Sequence, residues 1–370
     1  VSHKFHGCQL QTENSSPIEF SATKMLTLGF CSLLFLIYIF LSWIRRYIRV
    51  DKYNEKYVLV TGCDSGFGQL LVQRLDMLGF NVFATCLTES AQRRLREITS
   101  SRLMTLTLDI TNREQVRYAV DKVRAALPHD KGLWGLVNNA GINGNCLGPP
   151  EWLSAEEFER VTEVNTMGAV RVTLAFLPVL KKGQGRVIFM SSMTGRISNP
   201  FNLAYCMSKA SVESFADGLR AHLNLFNVSV HIVEPGAFQT NLVAKDSIKK
   251  AVGKAWDSAS RQNKEEFGKE YFENFESWMM NTISKHASPN LNKVINSYIH
   301  SLTARCPRTR YTVGIDAHLF YLPLSYMPSF VQDFVYCRMT AHLIPAVIKQ
   351  GGPANFGLEE RRSSLINKGH

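Results

Sequence analysis

The sequence predicts a doubly wound α/β domain, a parallel sheet with helices on both faces, carrying a helical insertion and preceded by a membrane anchor. Three observations predict it. From Tyr57 onward, short apolar runs alternate with longer amphipathic stretches. A glycine-spaced loop stands directly after the first run. Ahead of the alternation, residues 25–44 form 20 positions without a charge.

The β-type runs are 57–61, 82–86, 103–109, 135–138, 186–191 and 228–233. Their hydrophobicity is continuous rather than alternating, as in strands covered on both faces. Helix-like segments at 68–78, 113–126, 155–180 and 204–225 supply the covers, which makes the pattern Rossmann-like. The catalytic domain is expected over 57–340. Within it, residues 241–310 break the alternation with helical composition and the aromatics Trp256, Phe267, Tyr271, Phe272, Phe275 and Trp278. This segment is expected as a substrate lid over an apolar pocket, with plain core packing as the alternative. Residues 320–335 are expected as the last strand and pocket wall, with lipid contact as the alternative. Residues 341–370 read as a polar tail.

The chain has 370 residues, 45% of them hydrophobic, enough for a sizeable core. Its net charge of +11 suits a membrane surface or a phosphate-bearing ligand. No long Lys/Arg run with interleaved aromatics is present, which argues against nucleic acid. The eight cysteines form no Cys-x-x-Cys pair and no zinc spacing, so they read as reduced thiols, with no metal site.

Residues 25–44 have the length a helix needs to cross ~30 Å of hydrocarbon. Tyr38 and Trp43 suit interfaces, and Arg45, Arg46, Arg49 and Lys52 follow in a basic linker, 45–56. The expectation is an uncleaved anchor, since nothing after Ile44 resembles a small-residue cleavage site. Residues 1–24 are a polar extension ahead of Met25.

The first strand runs into Thr61-Gly62-Cys63-Asp64-Ser65-Gly66-Phe67-Gly68. Glycines between a strand and a helix let backbone approach a pyrophosphate, and the helix N-terminus offers it unpaired N–H groups. The second strand ends in Thr85-Cys86-Leu87, with neither an acidic residue nor an arginine to address the adenosine ribose. Asp64 places negative charge where a 2′-phosphate wants a base, which favours NAD over NADP; helix capping is its other reading. Asp109 ends the third run and either accepts from the adenine amino group or caps a helix. Asn138, Asn139, Ala140 and Gly141 end the fourth, where they hold the cofactor or simply turn the chain. Tyr205 and Lys209 stand four apart, a spacing that alone says little.

Thr61-Gly-x-x-x-Gly66-x-Gly68, Asn138-Asn-Ala-Gly141, Ser192, Tyr205-x-x-x-Lys209 and Pro235-Gly236 stand in that order on a doubly wound pattern. In this the chain resembles the short-chain dehydrogenase/reductase family over residues 56–325. The stretches TGCDSGFG, KGLWGLVNNAG and QGRVIFMSS, with VEPG and the anchor, resemble its membrane-bound retinol and hydroxysteroid dehydrogenases, including the type 6 17β-hydroxysteroid enzyme. The resemblance implies an oxidoreductase that moves a hydride between a nicotinamide cofactor and a lipophilic alcohol. It implies Tyr205 as general base, Lys209 as the cation that favours its phenolate and holds the nicotinamide ribose, and Ser192 as the donor to the substrate oxygen. Asn165 is implied to hold a relay water, while Pro235, Gly236 and Thr240 address the carboxamide. A homo-oligomer is compatible with it. Two departures stand out: the missing acidic residue after the second strand, and the loop Asn143-Gly144-Asn145-Cys146.

Lysine and arginine after the anchor predict a cytosolic catalytic domain on an endoplasmic-reticulum-like membrane. Unpaired cysteines agree with a reducing compartment. The sequon at Asn227 opposes this placement unless the fold hides it at the start of the sixth strand.

Overall fold

Seven strands pair in one sheet in the order β3-β2-β1-β4-β5-β6-β7, every neighbour parallel. They are β1 (Tyr57–Val60), β2 (Asn81–Cys86), β3 (Leu103–Thr107), β4 (Gly135–Asn138), β5 (Arg186–Met190), β6 (Ser229–Pro235) and β7 (Arg310–Val313). The structure is a computed structural model describing residues 22–45, 47–144 and 147–350. Residues 1–21, Arg46, Asn145, Cys146 and the tail from residue 351 lie outside the described residues. So does the polar extension up to residue 21.

The chain divides into two units, residues 1–48 and 49–370. The first holds α1 (Ala22–Arg45), 24 residues long, or about 36 Å at 1.5 Å per residue. Its described side chains from Gly29 to Phe40 are all exposed, Phe30, Phe35, Leu36 and Tyr38 among the most open. A helix apolar on every face has no aqueous solution to its burial problem.

In the second unit the helices are α2 (Gly66–Met77), α3 (Glu89–Ile98), α4 (Arg113–Ala126), α5 (Ala155–Thr162), α6 (Ala169–Lys182), α7 (Leu203–Leu223), α8 (Lys245–Ser258), α9 (Arg261–Phe267), α10 (Lys269–His286), α11 (Asn292–Thr303), α12 (Leu322–Ser325), α13 (Ser329–Thr340) and α14 (Ala346–Lys349). One core joins α4, α6 and α7 to the sheet through Val123, Phe176, Phe189 and Val212. The other joins α2, α3 and α11 through Leu71, Leu95, Tyr298 and Leu302. Both faces are thus covered, which explains the unbroken apolar character of the strands.

Four expectations need correction. Residues 155–180 are not one regular helix: a π-turn at Glu163–Gly168 separates α5 from α6. The expected 241–310 segment divides. α8 to α10 build a separate aromatic cluster, whereas α11 packs on the sheet because Val294, Ile295, Tyr298 and Leu302 form one buried stripe. Residues 320–335 contain no strand; the last strand is β7, and α12 and α13 follow it. Asn227 is not hidden: it precedes β6, exposed, at φ 56°. The helix α3 was not anticipated at all.

Candidate active site

The strand order reverses between β1 and β4, the switch point at which open α/β sheets bind ligands beyond their strand ends. Four loops meet there. The β1–α2 loop and the β4 loop are tied by Thr61, whose Oγ1 accepts from the N–H groups of Asn139 and Ala140, each at 3.1 Å. Asn139 Nδ2 returns bonds to the carbonyls of Thr61 and Gly62 at 3.0 and 3.1 Å, and its Oδ1 accepts from the buried Tyr298 hydroxyl at 3.2 Å.

The glycines of this loop fit a dinucleotide. A Cβ on Gly68 would stand 2.2 Å from the Gly62 carbonyl oxygen and 2.6 Å from Asn139 Nδ2, so only glycine lets α2 start this close. Gly66 has φ +60° and faces open space. Ser65, the N-cap of α2, makes no side-chain capping bond, leaving first-turn N–H groups for an anion. Phe67 lies edge-on to Phe238, ring centroids 6.0 Å apart, joining this loop to the segment after β6.

Asp64 reaches across to the end of β2, where it accepts from Leu87 N at 3.0 Å and from Thr88 N at 3.1 Å. Its own carbonyl accepts from the Arg94 guanidinium of α3 at 3.0 Å. An arginine therefore does stand beside this loop, contributed by a helix rather than by the strand end. Asp109 accepts from Thr111 N and Oγ1 at 2.9 and 2.7 Å, a turn-capping role. Asn138 turns inward to Thr173 of α6 at 2.8 Å, and its Oδ1 is buried without a protein partner.

Pro235 ends β6. Gly236 N donates to Val313 O at 2.8 Å, and the Asp316 carboxylate accepts from Ala237 N at 2.7 Å. That carboxylate occupies the place a side chain on Gly236 would take. Thr240 follows in a tight turn closed by its N–H to Phe238 O at 2.8 Å.

The π-turn between α5 and α6 presents Asn165 to this junction. Its Oδ1 accepts from Ile142 N at 2.8 Å, and its Nδ2 donates to Ile142 O at 2.8 Å and Ser208 Oγ at 2.9 Å. The amide thereby ties the β4 loop to α7, and π-turns recur where such a side chain must be re-aimed. Gly141 borders both Asn165 and Lys209: a Cβ there would lie 3.1 Å from Asn165 Oδ1 and 3.5 Å from Lys209 Nζ.

On α7, Lys209 Nζ donates to Met190 O at 2.9 Å and lies 5.5 Å from the Tyr205 ring centroid. Burial pushes this ammonium down to about 8, with the Glu213 carboxylate one turn on acting the other way. Burial also holds the Tyr205 phenol above its ordinary range, opposed by a hydrogen bond from Ser192. Ser192 Oγ accepts from Thr194 N and Oγ1 at 3.2 and 3.0 Å, which leaves its hydrogen to donate. Gly195 lets the Ser192 turn press directly on the Lys209 backbone. Asn165, Ser192, Tyr205 and Lys209, the set the family resemblance implies, thus lie at one junction.

Sequence reasoning missed what lies beneath. Glu213 accepts from Ser191 Oγ at 2.7 Å and pairs with Arg310 of β7, which also pairs with Glu234 of β6. Arg196 reaches Glu234 at 2.8 Å. Burial and the Glu234 charge push Glu213 up to about 7. The cluster clamps α7, β6, β7 and the Ser192 turn together; its one sequence signal is Glu213 following Lys209 by a helical turn.

Beside the site stands the aromatic cluster of α8 to α10, centred on Trp152. That ring lies 4.9 to 5.9 Å from those of Trp256, Phe267, Phe275 and Tyr271. Phe201, four residues before Tyr205, packs on Phe275 at 4.9 Å and so joins the cluster to the catalytic helix.

Known proteins match this geometry. The family model for short chain dehydrogenase covers residues 56–251. Retinol dehydrogenase 16 of Homo sapiens is 42% identical over 299 residues, 81% of this chain and 93% of that protein. Short-chain dehydrogenase/reductase family 9C member 7 of Bos taurus is 42% identical over 296 residues, 80% of this chain and 93% of that protein. Among solved structures, a short-chain dehydrogenase from Streptomyces avermitilis superposes with a TM-score of 0.59 at 25% identity, covering 78% of this chain and 98% of that one. The protein belongs to the short-chain dehydrogenase/reductase family, as an NAD(P)-dependent oxidoreductase of the alcohol dehydrogenase type acting on a small molecule.

Proposed function

We propose that the protein interconverts a lipophilic alcohol, a retinol or a hydroxysteroid, and its carbonyl, using NAD in preference to NADP. The observation that carries this reading is the meeting of Tyr205, Lys209, Ser192 and Asn165 beside the glycine loop. The bound nicotinamide supplies the hydride acceptor and, when oxidised, a positive charge. Ser192 donates to the substrate oxygen, and Tyr205 Oη takes the hydroxyl proton as the hydride leaves. A buried phenol held high is a poor base, so the cations beside it must lower it; Lys209 is the one this chain provides. Lys209 Nζ uses one proton on Met190 O, leaving others for the nicotinamide ribose or a relay water bordered by Asn165.

The aromatic cluster of α8 to α10, together with the retinol named in a relative, supports an apolar substrate. The aromatic character of this cluster argues against a small polar 3-hydroxy acid. The preference for NAD rests on Asp64, with Arg94 as the opposing charge. Turnover with NAD and NADP against retinols, 3α- and 17β-hydroxysteroids and hydroxybutyrate tests all of this; preference for hydroxybutyrate or NADP overturns the corresponding part. α1 is assigned as the anchor in an endoplasmic-reticulum-like membrane with the catalytic unit cytosolic. Exposed Asn227 makes the topology testable: a glycan on it, or protection from protease in sealed microsomes, contradicts that orientation.

A further inference from the structure

The turn that carries Ser192 is held from both of its ends by one cluster of charges. At its start, Ser191 Oγ donates to the Glu213 carboxylate of α7 at 2.7 Å. At its end, Arg196 Nε donates to Glu234 of β6 at 2.8 Å. Arg310 of β7 pairs with both carboxylates, and with Asp217 at 2.5 Å. Glu234 is fully buried and Glu213 nearly so, whereas the Asp217 side chain is 41% exposed. Ser191 is buried as well, and a Cβ on Gly195 would lie 2.9 Å from its Oγ and 3.1 Å from the Lys209 carbonyl oxygen. Turn, lysine and carboxylate are therefore packed as one unit. Stability alone gives no reason for the buried pair around Arg310, because apolar residues of similar volume commonly hold such a place as well or better.

We propose that Glu213 is a positioning residue for the reaction: through Ser191 it fixes the seat of Ser192, and one turn along α7 it sets a negative charge beside the Lys209 ammonium. The proposal rests on the Tyr205–Lys209 reading above and adds a residue that acts through others. The charged groups around Glu213 are Lys209 and Asp217 on its own helix, Glu234 on β6, Arg310 on β7 and, behind Glu234, Arg196 of the Ser192 turn. Burial and the Glu234 charge push Glu213 up to about 7, and burial pushes Lys209 down to about 8. The carboxylate is therefore already ionised over the range in which the lysine loses its proton, and there it acts to keep that proton on.

The test compares Ser191→Ala, Glu213→Gln and Asp217→Asn in the full chain. At pH 8, Ser191→Ala and Glu213→Gln should each lower kcat for the preferred alcohol roughly ten-fold, with KM in Ser191→Ala unchanged within about two-fold. The Glu213→Gln loss should fade toward pH 6, where the native carboxyl takes up its proton; the Ser191→Ala loss should not. Asp217→Asn loosens the same arginine from its exposed side, and its kcat should stay within about two-fold of the unaltered protein. Equal losses from Asp217→Asn and Glu213→Gln, or full kcat in Ser191→Ala, overturn the proposal and leave the cluster a plain strap for β7. NADH fluorescence supplies a readout that needs no alcohol. With Lys209 holding the nicotinamide ribose as an ammonium, affinity should fall as pH rises past about 8, and in Glu213→Gln the fall should begin at lower pH. The same onset in both proteins overturns the proposal; no fall in the unaltered protein overturns the Lys209 reading and the proposal with it. If the unaltered protein oxidises none of the alcohols, the substrate reading fails while the NADH titration still decides the role of Glu213. Should Glu213→Gln fail to fold, Ser191→Ala against Asp217→Asn still decides it through kcat.

Discussion

The glycine-loop cradle at the strand ends and the aromatic cluster around Trp152, which stands apart from the sheet, are built in opposite ways. In the cradle, Thr61, Asn139 and Asp64 each bond to backbone groups across a loop, and Gly62 and Gly68 stand where an added methyl would meet an atom within 3 Å. In the cluster, rings pack on rings through Trp152, Phe267, Tyr271 and Phe275 with few polar ties. Directional bonds demand fixed residue types at fixed spacing, whereas apolar packing demands volume and tolerates exchange. Exact chemistry should therefore fail on small changes in the cradle, and the cluster should fail only on large ones.

The largest stability effect is expected in the cluster. Trp152→Ala removes a fully buried indole and should cost about 3–5 kcal/mol, whereas Trp152→Phe should cost far less; thermal unfolding of both variants checks this. An equal loss would mean that the cluster too depends on exact geometry. In the cradle a single methyl should suffice. Gly68→Ala should weaken NADH binding by roughly 100-fold, about 2.7 kcal/mol, as followed by cofactor fluorescence, and unaltered affinity would remove the basis for the contrast.

At Lys209, buried on α7, stability and chemistry oppose each other. Its ammonium is pushed from 10.5 down to about 8 by burial. The folded state therefore binds fewer protons than the unfolded between pH 8 and 10.5, and this residue's contribution to stability rises with pH across that window. Lys209→Met should abolish turnover yet raise stability at pH 7 by about 1–3 kcal/mol, with the gain shrinking toward pH 10. A gain that does not depend on pH would assign the effect to packing instead.

How much was legible follows from the same contrast. The glycine loop 61–68 could be placed because it stands between a strand and a helix, Asn165, Ser192, Tyr205 and Lys209 because they match the family pattern in order, and six of the seven strands because they are apolar on both faces. The seventh escaped notice because β7 is a four-residue edge strand whose burial alternates. α3 escaped because only Ala91, Gln92 and Leu95 are buried along its 10 residues. The true extent of the lid-like segment was hidden because α11 has the same helical period whether it packs on the sheet or on the cluster. The Glu213–Arg310–Glu234 ties join residues up to 97 apart in sequence, beyond any local pattern.

The smallest effect concerns cofactor choice. Asp64→Arg should raise kcat/KM for NADP relative to NAD roughly ten-fold. Asp64→Asn, which keeps an acceptor for Leu87 N and Thr88 N, should move the ratio less. If Asn moves it as far as Arg, the loop contact rather than the charge governs preference.

The central claim is that Tyr205 moves the proton. Tyr205→Phe keeps the ring and the cradle and removes only the hydroxyl. Measured side by side with the unaltered protein, its turnover of the preferred alcohol with NAD should fall by roughly 1,000-fold or more, with NADH affinity unchanged within about two-fold. Turnover near that of the unaltered protein would contradict the account and move the proton acceptor to another residue.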